Sequence, residues 1–289
     1  MARSKDYETI VSVEALRDLV VEGSALLLID CGFDLTDPEQ GRKSYFEGHL
    51  PGARHIDLEK DMSGAANGKN GRHPLPARTA FAATMRHLGM RGDMQVIAYD
   101  NSGGIYAARF WWMLRWLGHS AVAVLDGGKQ VWIEAGLPLE SGEPVPAPQG
   151  DVIPGAVLVG EPVGADELMA NLESGELQVI DARDGRRFAG EPHALDSVPG
   201  HIPGATNRFY RDNLDEVGRF RSPVELAGEF RTALAGKSPD RSILQCGSGV
   251  TACHNALAME LAGMKGARLY PGSWSEWTSD PARPVAKEG

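Results

Sequence analysis

The chain is written twice, and that duplication limits what it can fold into more than any other feature. Leu26-Leu-Leu-Ile-Asp30 recurs as Leu177-Gln-Val-Ile-Asp181, and Gly48-His-Leu-Pro-Gly-Ala53 recurs as Gly200-His-Ile-Pro-Gly-Ala205. Val96-Ile-Ala-Tyr-Asp-Asn-Ser-Gly103 recurs as Ser242-Ile-Leu-Gln-Cys-Gly-Ser-Gly249. Leu125-Asp-Gly-Gly with Trp132 recurs as Tyr270-Pro-Gly-Ser with Trp277. Four blocks keep one order at a separation of about 150 residues, which means duplication of one domain.

Each copy alternates short apolar runs with stretches of helical period. In the first, strands are expected near 26–30, 95–99 and 121–125, with helices near 78–88, 104–117 and 128–135. In the second, strands are expected near 178–182, 242–245 and 267–270, with helices near 164–174, 223–235 and 250–263. This alternation predicts the α/β class: two tandem domains, each a mainly parallel sheet flanked by helices, with ligands at the strand C-termini. Ser141–Gly150, with three prolines and two glycines, reads as the start of a stiff connector. The expected division is a first domain over 1–140, a linker over 141–156 and a second domain over 157–289. The segment Asp61–Pro76 reads as a long ordered excursion rather than another linker.

Composition narrows the partners. A length of 289 residues with 42% hydrophobic and 24% charged residues supplies two proper cores. The net charge of -10, with no lysine- or arginine-rich block, argues against nucleic acid and anionic membranes as partners. No run of about 18 apolar residues exists, so no transmembrane helix is expected, and the first residues lack an apolar signal segment. Three cysteines, Cys31, Cys246 and Cys253, are too few and odd in number for a disulfide framework and suit a reducing cytoplasm. A cytoplasmic monomer is expected.

Cys246 is the candidate nucleophile. It closes an apolar run, opens the turn Gly247-Ser-Gly249, and precedes a helix-forming stretch from Val250 and Thr251. Unpaired N–H groups and the helix dipole at such a junction favour the thiolate. A free cysteine is more often a packing residue; here the other copy carries Asp100 instead, so the fold does not need sulfur at that position. Cys253, seven residues on, and Cys31 read as packing residues. Gly247-Ser-Gly-Val-Thr-Ala252 formally fits a dinucleotide fingerprint, but no acidic residue closes a second strand about twenty residues later. Cysteine phosphatase chemistry needs an arginine where Ala252 stands, to clamp the phosphate. Cys246, Cys253 and His254 have no zinc spacing, so neither a metal nor a cofactor is expected.

Cys246-Gly-Ser-Gly-Val-Thr251 within a duplicated α/β chain resembles the tandem-domain rhodanese superfamily, specifically its 3-mercaptopyruvate sulfurtransferases. Gly48–Ala53, Gly200–Ala205, Leu125–Gly128 and Gly272-Ser-Trp-Ser-Glu-Trp277 carry the same resemblance along nearly the whole chain. It implies transfer of sulfur from a small anionic donor through a Cys246 persulfide to cyanide, a thiol or a thioredoxin-like dithiol. Thiosulfate-preferring relatives carry basic residues where this chain has Gly247 and Ser248. An uncharged loop suits the monoanion 3-mercaptopyruvate better than the dianion thiosulfate, whose transfer stays as the alternative. A non-catalytic persulfide carrier or redox sensor is the reading from another class.

The resemblance also assigns roles. Gly247, Gly249, Val250 and Thr251 hold the donor at the loop, and Arg187 falls where the family binds its carboxylate, although Arg186 and Arg187 also fit a solvated helix face. A second substrate arginine should precede Gly200; Glu191–Val198 has none, and His193 is the only basic substitute. Ser248 is the proton relay or donor-orienting hydroxyl, against a plain turn residue, with Glu59 and His73 of the first copy behind it. Glu59 stands where the family has aspartate, and His73 fits packing equally well. His49 and His201, present in both copies, read as structural, and Trp274 and Trp277 as packing beneath the loop.

Overall fold

A computed structural model describes residues 6–144 and 146–287. Val145, inside the expected connector, and the residues at 1–5 and 288–289 lie outside the described residues. The chain forms two compact units. The first comprises Met1–Ser63, Pro76–Leu158 and Val217–Arg219; the second comprises Gly64–Leu75, Val159–Glu216 and Phe220–Gly289. Covalent order and packing therefore disagree at one place of consequence: the excursion at 64–75 belongs with the second unit, although it follows the first unit's third strand.

In the first unit the order is β1 Ile10–Val11, α1 Val13–Val21, β2 Leu26–Asp30, α2 Gln40–Glu47, β3 Arg54–His55, α3 Arg78–His87, β4 Gln95–Tyr99, α4 Ile105–Leu117, β5 Val122–Leu125 and α5 Gly128–Glu134. The strands lie β1-β5-β4-β2-β3, all parallel. β4 is buried at every position, as a central parallel strand covered on both faces requires. α4 is apolar nearly all round, with Phe110, Trp111, Trp112 and Leu114 fully buried, which marks a core helix rather than a surface one. α1 starts at Ser12, whose hydroxyl accepts the Ala15 N–H and so satisfies one free donor of the first turn.

The second unit repeats the plan with α6 Ala165–Ser174, β6 Gln178–Asp181, α7 Gly185–Ala189, β7 Thr206–Asn207, α8 Pro223–Ala233, β8 Ser242–Gln245, α9 Thr251–Leu261, β9 Arg268–Leu269 and α10 Ser273–Trp277. Its parallel sheet runs β7-β6-β8-β9. Gly160 bridges Arg268 in parallel, at the place β1 takes beside β5 in the first unit. α8 opens on a capping box, Ser222 with Glu225, and has Pro223 in its first turn. Ile243, Tyr270, Trp274 and Trp277 lie in the core of this unit.

Every expected strand and helix is present, with ends moved by one or two residues. β1, β3, β7, α1, α2, α7 and α10 were not expected. The three strands among them have two residues each, too short for a period to show. His49 and His201 hold equivalent places: each ring Nδ1 meets a carbonyl, of Tyr45 at 2.9 Å and of Phe188 at 2.8 Å, and each ring stacks on an aromatic neighbour.

Candidate active site

β8 ends at Gln245, α9 begins at Thr251, and the five residues between form a loop at the sheet's C-terminal edge. Cys246 is almost fully buried, and its Sγ accepts the Gly249 N–H at 3.1 Å. Gly249 has φ +77°, and a Cβ there would stand 2.4 Å from the Pro271 carbonyl oxygen, so only glycine allows this approach. The backbone of Cys246 is held at both ends: its N–H donates to Ser273 Oγ at 3.1 Å, and its carbonyl accepts the Trp274 N–H at 2.9 Å. The Ser275 N–H donates to the Gly247 carbonyl at 3.0 Å. The tryptophan-bearing α10 thus braces the loop through its backbone as well as by packing.

The first unit shows what such a loop is shaped to hold. Asp100 follows β4 as Cys246 follows β8, and its carboxylate accepts four backbone N–H groups. Oδ1 takes those of Ser102 at 2.7 Å and Gly104 at 2.9 Å; Oδ2 takes those of Tyr106 at 2.9 Å and Ala107 at 3.0 Å. A strand–turn–helix junction of this build is an anion cradle. In the first unit the chain's own carboxylate fills it. In the second, the residue at that place ends in sulfur.

At the Cys246 loop, the structure brings together three of the expected side chains, Ser248, His73 and Arg187. Ser248, mostly buried, shares a 2.8 Å hydrogen bond with Nδ1 of fully buried His73. His73 reaches it from the 64–75 segment, which is pinned next door: the Arg72 N–H donates to Ser275 Oγ at 3.0 Å, and Gly71 lies against Gly272 so closely that a Cβ would meet its oxygen at 2.6 Å. Arg187, on α7, lies against Gly247, where a Cβ would stand 3.1 Å from its Nη2. Its guanidinium also grips Asp196 in a fork, Nε to Oδ2 at 2.7 Å and Nη2 to Oδ1 at 2.6 Å. Burial opposes its charge, but hydrogen bonding and attraction to Asp196, with attraction to the Cys246 sulfur, hold its pKa above the ordinary arginine value.

Other expected residues lie elsewhere or serve other ends. Val250 is buried just ahead of α9, and Thr251 opens that helix half-buried. His193 is exposed, and its Nδ1 accepts the Leu195 N–H at 3.2 Å within a turn. Glu59 belongs to the first unit, where it is exposed and its backbone N–H donates to the Asp57 carboxylate at 2.8 Å. Cys253 is fully buried, with Sγ 3.3 Å from the Gly249 carbonyl. Cys31 is buried in the first unit, where burial, then Asp100 and Asp30, push its thiol well above its usual pKa. Among the described residues, no helix is long and apolar enough to cross a membrane.

Three residues of the site escaped the sequence reading. Arg183 is fully buried, forks onto Asp181, reaches Asp196 at 3.5 Å and lies over the Trp274 ring at 4.6 Å. Asp196 ties Arg183 to Arg187. Ser273 carries the hydroxyl that receives the Cys246 N–H. Aligning the copies offered a signal for two of them, since Gly32 stands in the first copy where Arg183 does in the second, and Gly128 where Ser273 does.

Fold and loop define a duplicated α/β protein with a single buried thiol at an anion cradle, its twin cradle closed by an aspartate. The chain matches the rhodanese-like domain family over residues 12–135 and 164–280, and it belongs to that family. It is 47% identical over 266 residues to a Pseudomonas aeruginosa protein described as "probable 3-mercaptopyruvate sulfurtransferase", covering 90% of this chain and 92% of that one. It is 34% identical to the thiosulfate sulfurtransferase of Bos taurus, over 94% of this chain and 92% of the relative. The solved 3-mercaptopyruvate sulfurtransferase from Leishmania major superimposes with a TM-score of 0.85 at 31% identity, over 96% of this chain and 76% of that one. The chain is a sulfurtransferase with two rhodanese-like domains, acting on a sulfur donor and a sulfur acceptor.

Proposed function

We propose that the protein moves a sulfur atom from 3-mercaptopyruvate to a thiophilic acceptor through a persulfide on Cys246. The observation that carries this reading is the pair of cradles. Four N–H groups hold a carboxylate in one loop, and the matching loop presents a sulfur that already receives the Gly249 N–H. A thiolate and the persulfide anion are both favoured by such donors, which need no reorganisation during reaction.

In the first half-reaction the Cys246 thiolate attacks the donor sulfur. The donor's carbon–sulfur bond breaks, its electron pair passes to the carbon as the enolate of pyruvate, and a proton completes pyruvate. Ser248, bonded to His73, is the group placed to orient the donor carbonyl or deliver that proton, and Arg187 faces the donor carboxylate across Gly247. The Gly249 N–H already meets the sulfur, and the N–H groups of Val250 and Thr251, which follow it into α9, are the further donors this reading assigns to the donor and the persulfide. In the second half-reaction a thiol, dithiol or cyanide attacks the outer sulfur, and the electron pair returns to Cys246 as thiolate. The uncharged Gly247–Gly249 turn favours 3-mercaptopyruvate over thiosulfate. Residues 157–289 carry the nucleophile and 1–140 carry none, with 141–156 between them, but the 64–75 segment, which packs with the second unit, lends His73 to the site; Glu59, exposed in the first unit, is assigned no step.

Cys246→Ser tests the reading. After donor treatment the wild-type chain gains the mass of one sulfur and the variant gains none, while turnover with cyanide disappears. Unchanged turnover by the variant overturns the mechanism. A higher kcat/KM for thiosulfate than for 3-mercaptopyruvate reassigns the donor. A single stoichiometric loading without turnover assigns a carrier instead.

A further inference from the structure

Arg187 comes to the donor with one edge of its guanidinium already taken. The Asp196 carboxylate holds the edge formed by Nε and Nη2, at 2.7 and 2.6 Å. Among the described residues no group bonds Nη1, so the edge formed by Nη1 and Nη2 keeps N–H donors for a second planar anion. Nη2 lies at the Cys246 loop, 3.1 Å from where a Gly247 Cβ would stand. The Arg187 side chain is 16% exposed and that of Asp196 only 2%, so a solute can reach the cation while the carboxylate behind it stays out of water.

That carboxylate is fixed in place and its charge is not diluted. The Asp196 N–H donates to the His193 carbonyl at 3.0 Å. On one side of it the Leu195 carbonyl accepts Arg72 Nη2 at 2.8 Å, and on the other the Val198 carbonyl accepts the Trp274 ring N–H at 2.9 Å. The buried ion group contains Arg183, Arg187, Asp181 and Asp196, two cations against two anions. A donor at the open edge of Arg187 therefore meets directed N–H groups with no net positive charge behind them. Hydrogen bonds accommodate one negative charge. A second is repelled by Asp196 across a single guanidinium, where burial weakens screening.

We propose that Asp196 is a specificity-determining residue of the sulfur transfer, holding Arg187 in position while its charge favours donors with one negative charge over dianions. The inference rests on the reading of Cys246 as the sulfur carrier and of Arg187 as the partner of the donor. Asp196 itself touches no reacting atom. The uncharged Gly247–Gly249 turn withholds attraction from a dianion, and Asp196 adds repulsion.

Thiosulfate and methanethiosulfonate isolate the charge, because a methyl group in the second replaces one anionic oxygen of the first. From either, the Cys246 thiolate takes the outer sulfur, and the electron pair of the broken sulfur–sulfur bond leaves on sulfite or methanesulfinate. The readout is the ratio of kcat/KM for thiosulfate to that for methanethiosulfonate, measured on one preparation of each variant so that the folded fraction cancels. Asp196→Asn keeps an acceptor for Arg187 without the charge, and its ratio is expected to rise about tenfold, the order of one charge pair partly open to water. Asp196→Glu keeps the charge and is expected to stay within about twofold of the wild-type ratio. Arg187→Gln leaves the Asp196 charge uncovered, and its ratio is expected to fall about tenfold. Binding of the two anions to Cys246→Ser, with and without Asp196→Asn, is expected to show the same tenfold shift with no sulfur taken. An unmoved ratio in Asp196→Asn, an equal change for both donors, or a rise matched by Asp196→Glu overturns the assignment. If Asp196→Asn does not fold, Arg187→Gln decides, and an unmoved ratio there overturns it. A wild type that loads no sulfur overturns the transfer reading alone, since the binding ratio still reports the charge of Asp196.

Discussion

At the scale of single residues, Ser273 is the most unusual position near the thiol. It is fully buried with φ +52°, a left-handed conformation that a side chain disfavours by about 1–2 kcal/mol. The first copy uses glycine at the matching Gly128, with φ +66°. Strain kept where a glycine would relieve it points to what the side chain does. Here the hydroxyl accepts the Cys246 N–H at 3.1 Å and donates to the Tyr270 carbonyl at 2.8 Å, so it fixes the backbone from which the Cys246 thiol projects. Ser273→Gly removes the strain and the hydroxyl together, and Ser273→Ala removes only the hydroxyl. The glycine variant is expected to stay within about 1 kcal/mol of wild-type stability, and the alanine variant to lose about 1–2 kcal/mol. Both are expected to load sulfur roughly tenfold more slowly. Thermal unfolding alongside the time course of persulfide mass gain checks this. A glycine variant that loads at the wild-type rate shows that Ser273 shapes only the turn.

At the scale of elements, the two copies solve one problem differently where β2 and β6 end in buried Asp30 and Asp181. Arg183 covers Asp181, but Gly32 stands at that place beside Asp30 and gives only its N–H, at 2.8 Å. Burial accordingly raises the Asp30 pKa, against smaller opposing effects of that N–H, His55 and Lys129. A raised carboxylate pKa means the folded state holds its proton more tightly than the unfolded chain does. Its contribution to stability is whole below the ordinary carboxylate value and is lost as pH rises through the folded value. Asp30→Asn is neutral at every pH and keeps an oxygen for the Gly32 N–H. The variant's Tm is therefore expected to gain on the wild type as pH rises from about 4 to 8, followed by unfolding scans across that range. A Tm difference that is flat with pH, or falls, contradicts it. The same comparison marks where the sequence was legible. Long apolar runs such as Gln95–Tyr99 and the loop from Cys246 to Thr251 announce themselves by composition and spacing. Arg183 does not, because a lone arginine after a strand reads as a surface charge until its partner Asp196, distant in sequence, is seen across it. In the 64–75 segment only His73 was legible, through the resemblance that set it behind Ser248; the attachment of the rest depends on contacts such as Arg72 with Ser275 and Gly71 with Gly272, which no periodicity encodes.

At the scale of the whole molecule, the proposed mechanism implies that duplication has divided stability from chemistry between two loops of one design. Asp100 closes its cradle permanently, satisfying four N–H groups around the start of α4, a helix buried along almost all its length. Cys246 leaves its cradle with a sulfur, the atom proposed above to gain and lose another. Removing each side chain should therefore have opposite consequences. Asp100→Ala strips those N–H groups of their acceptor in a buried site, and such a loss is expected to cost about 3 kcal/mol once water has partly replaced the carboxylate. Cys246→Ala deletes a small side chain and one weak sulfur contact, which is expected to cost about 1 kcal/mol or less while abolishing persulfide formation. The check is thermal unfolding of both variants, with sulfur loading measured on each well below its own transition. Asp100→Ala is expected to unfold several degrees earlier and, while folded, to load one sulfur per chain on Cys246. If the folded Asp100→Ala chain loads none, the first cradle takes part in the chemistry, and the division between the copies fails. If its stability is unchanged, the four N–H groups are satisfied by water at no cost, and Asp100 is a relic of the duplication rather than the clasp that holds α4 to the end of β4.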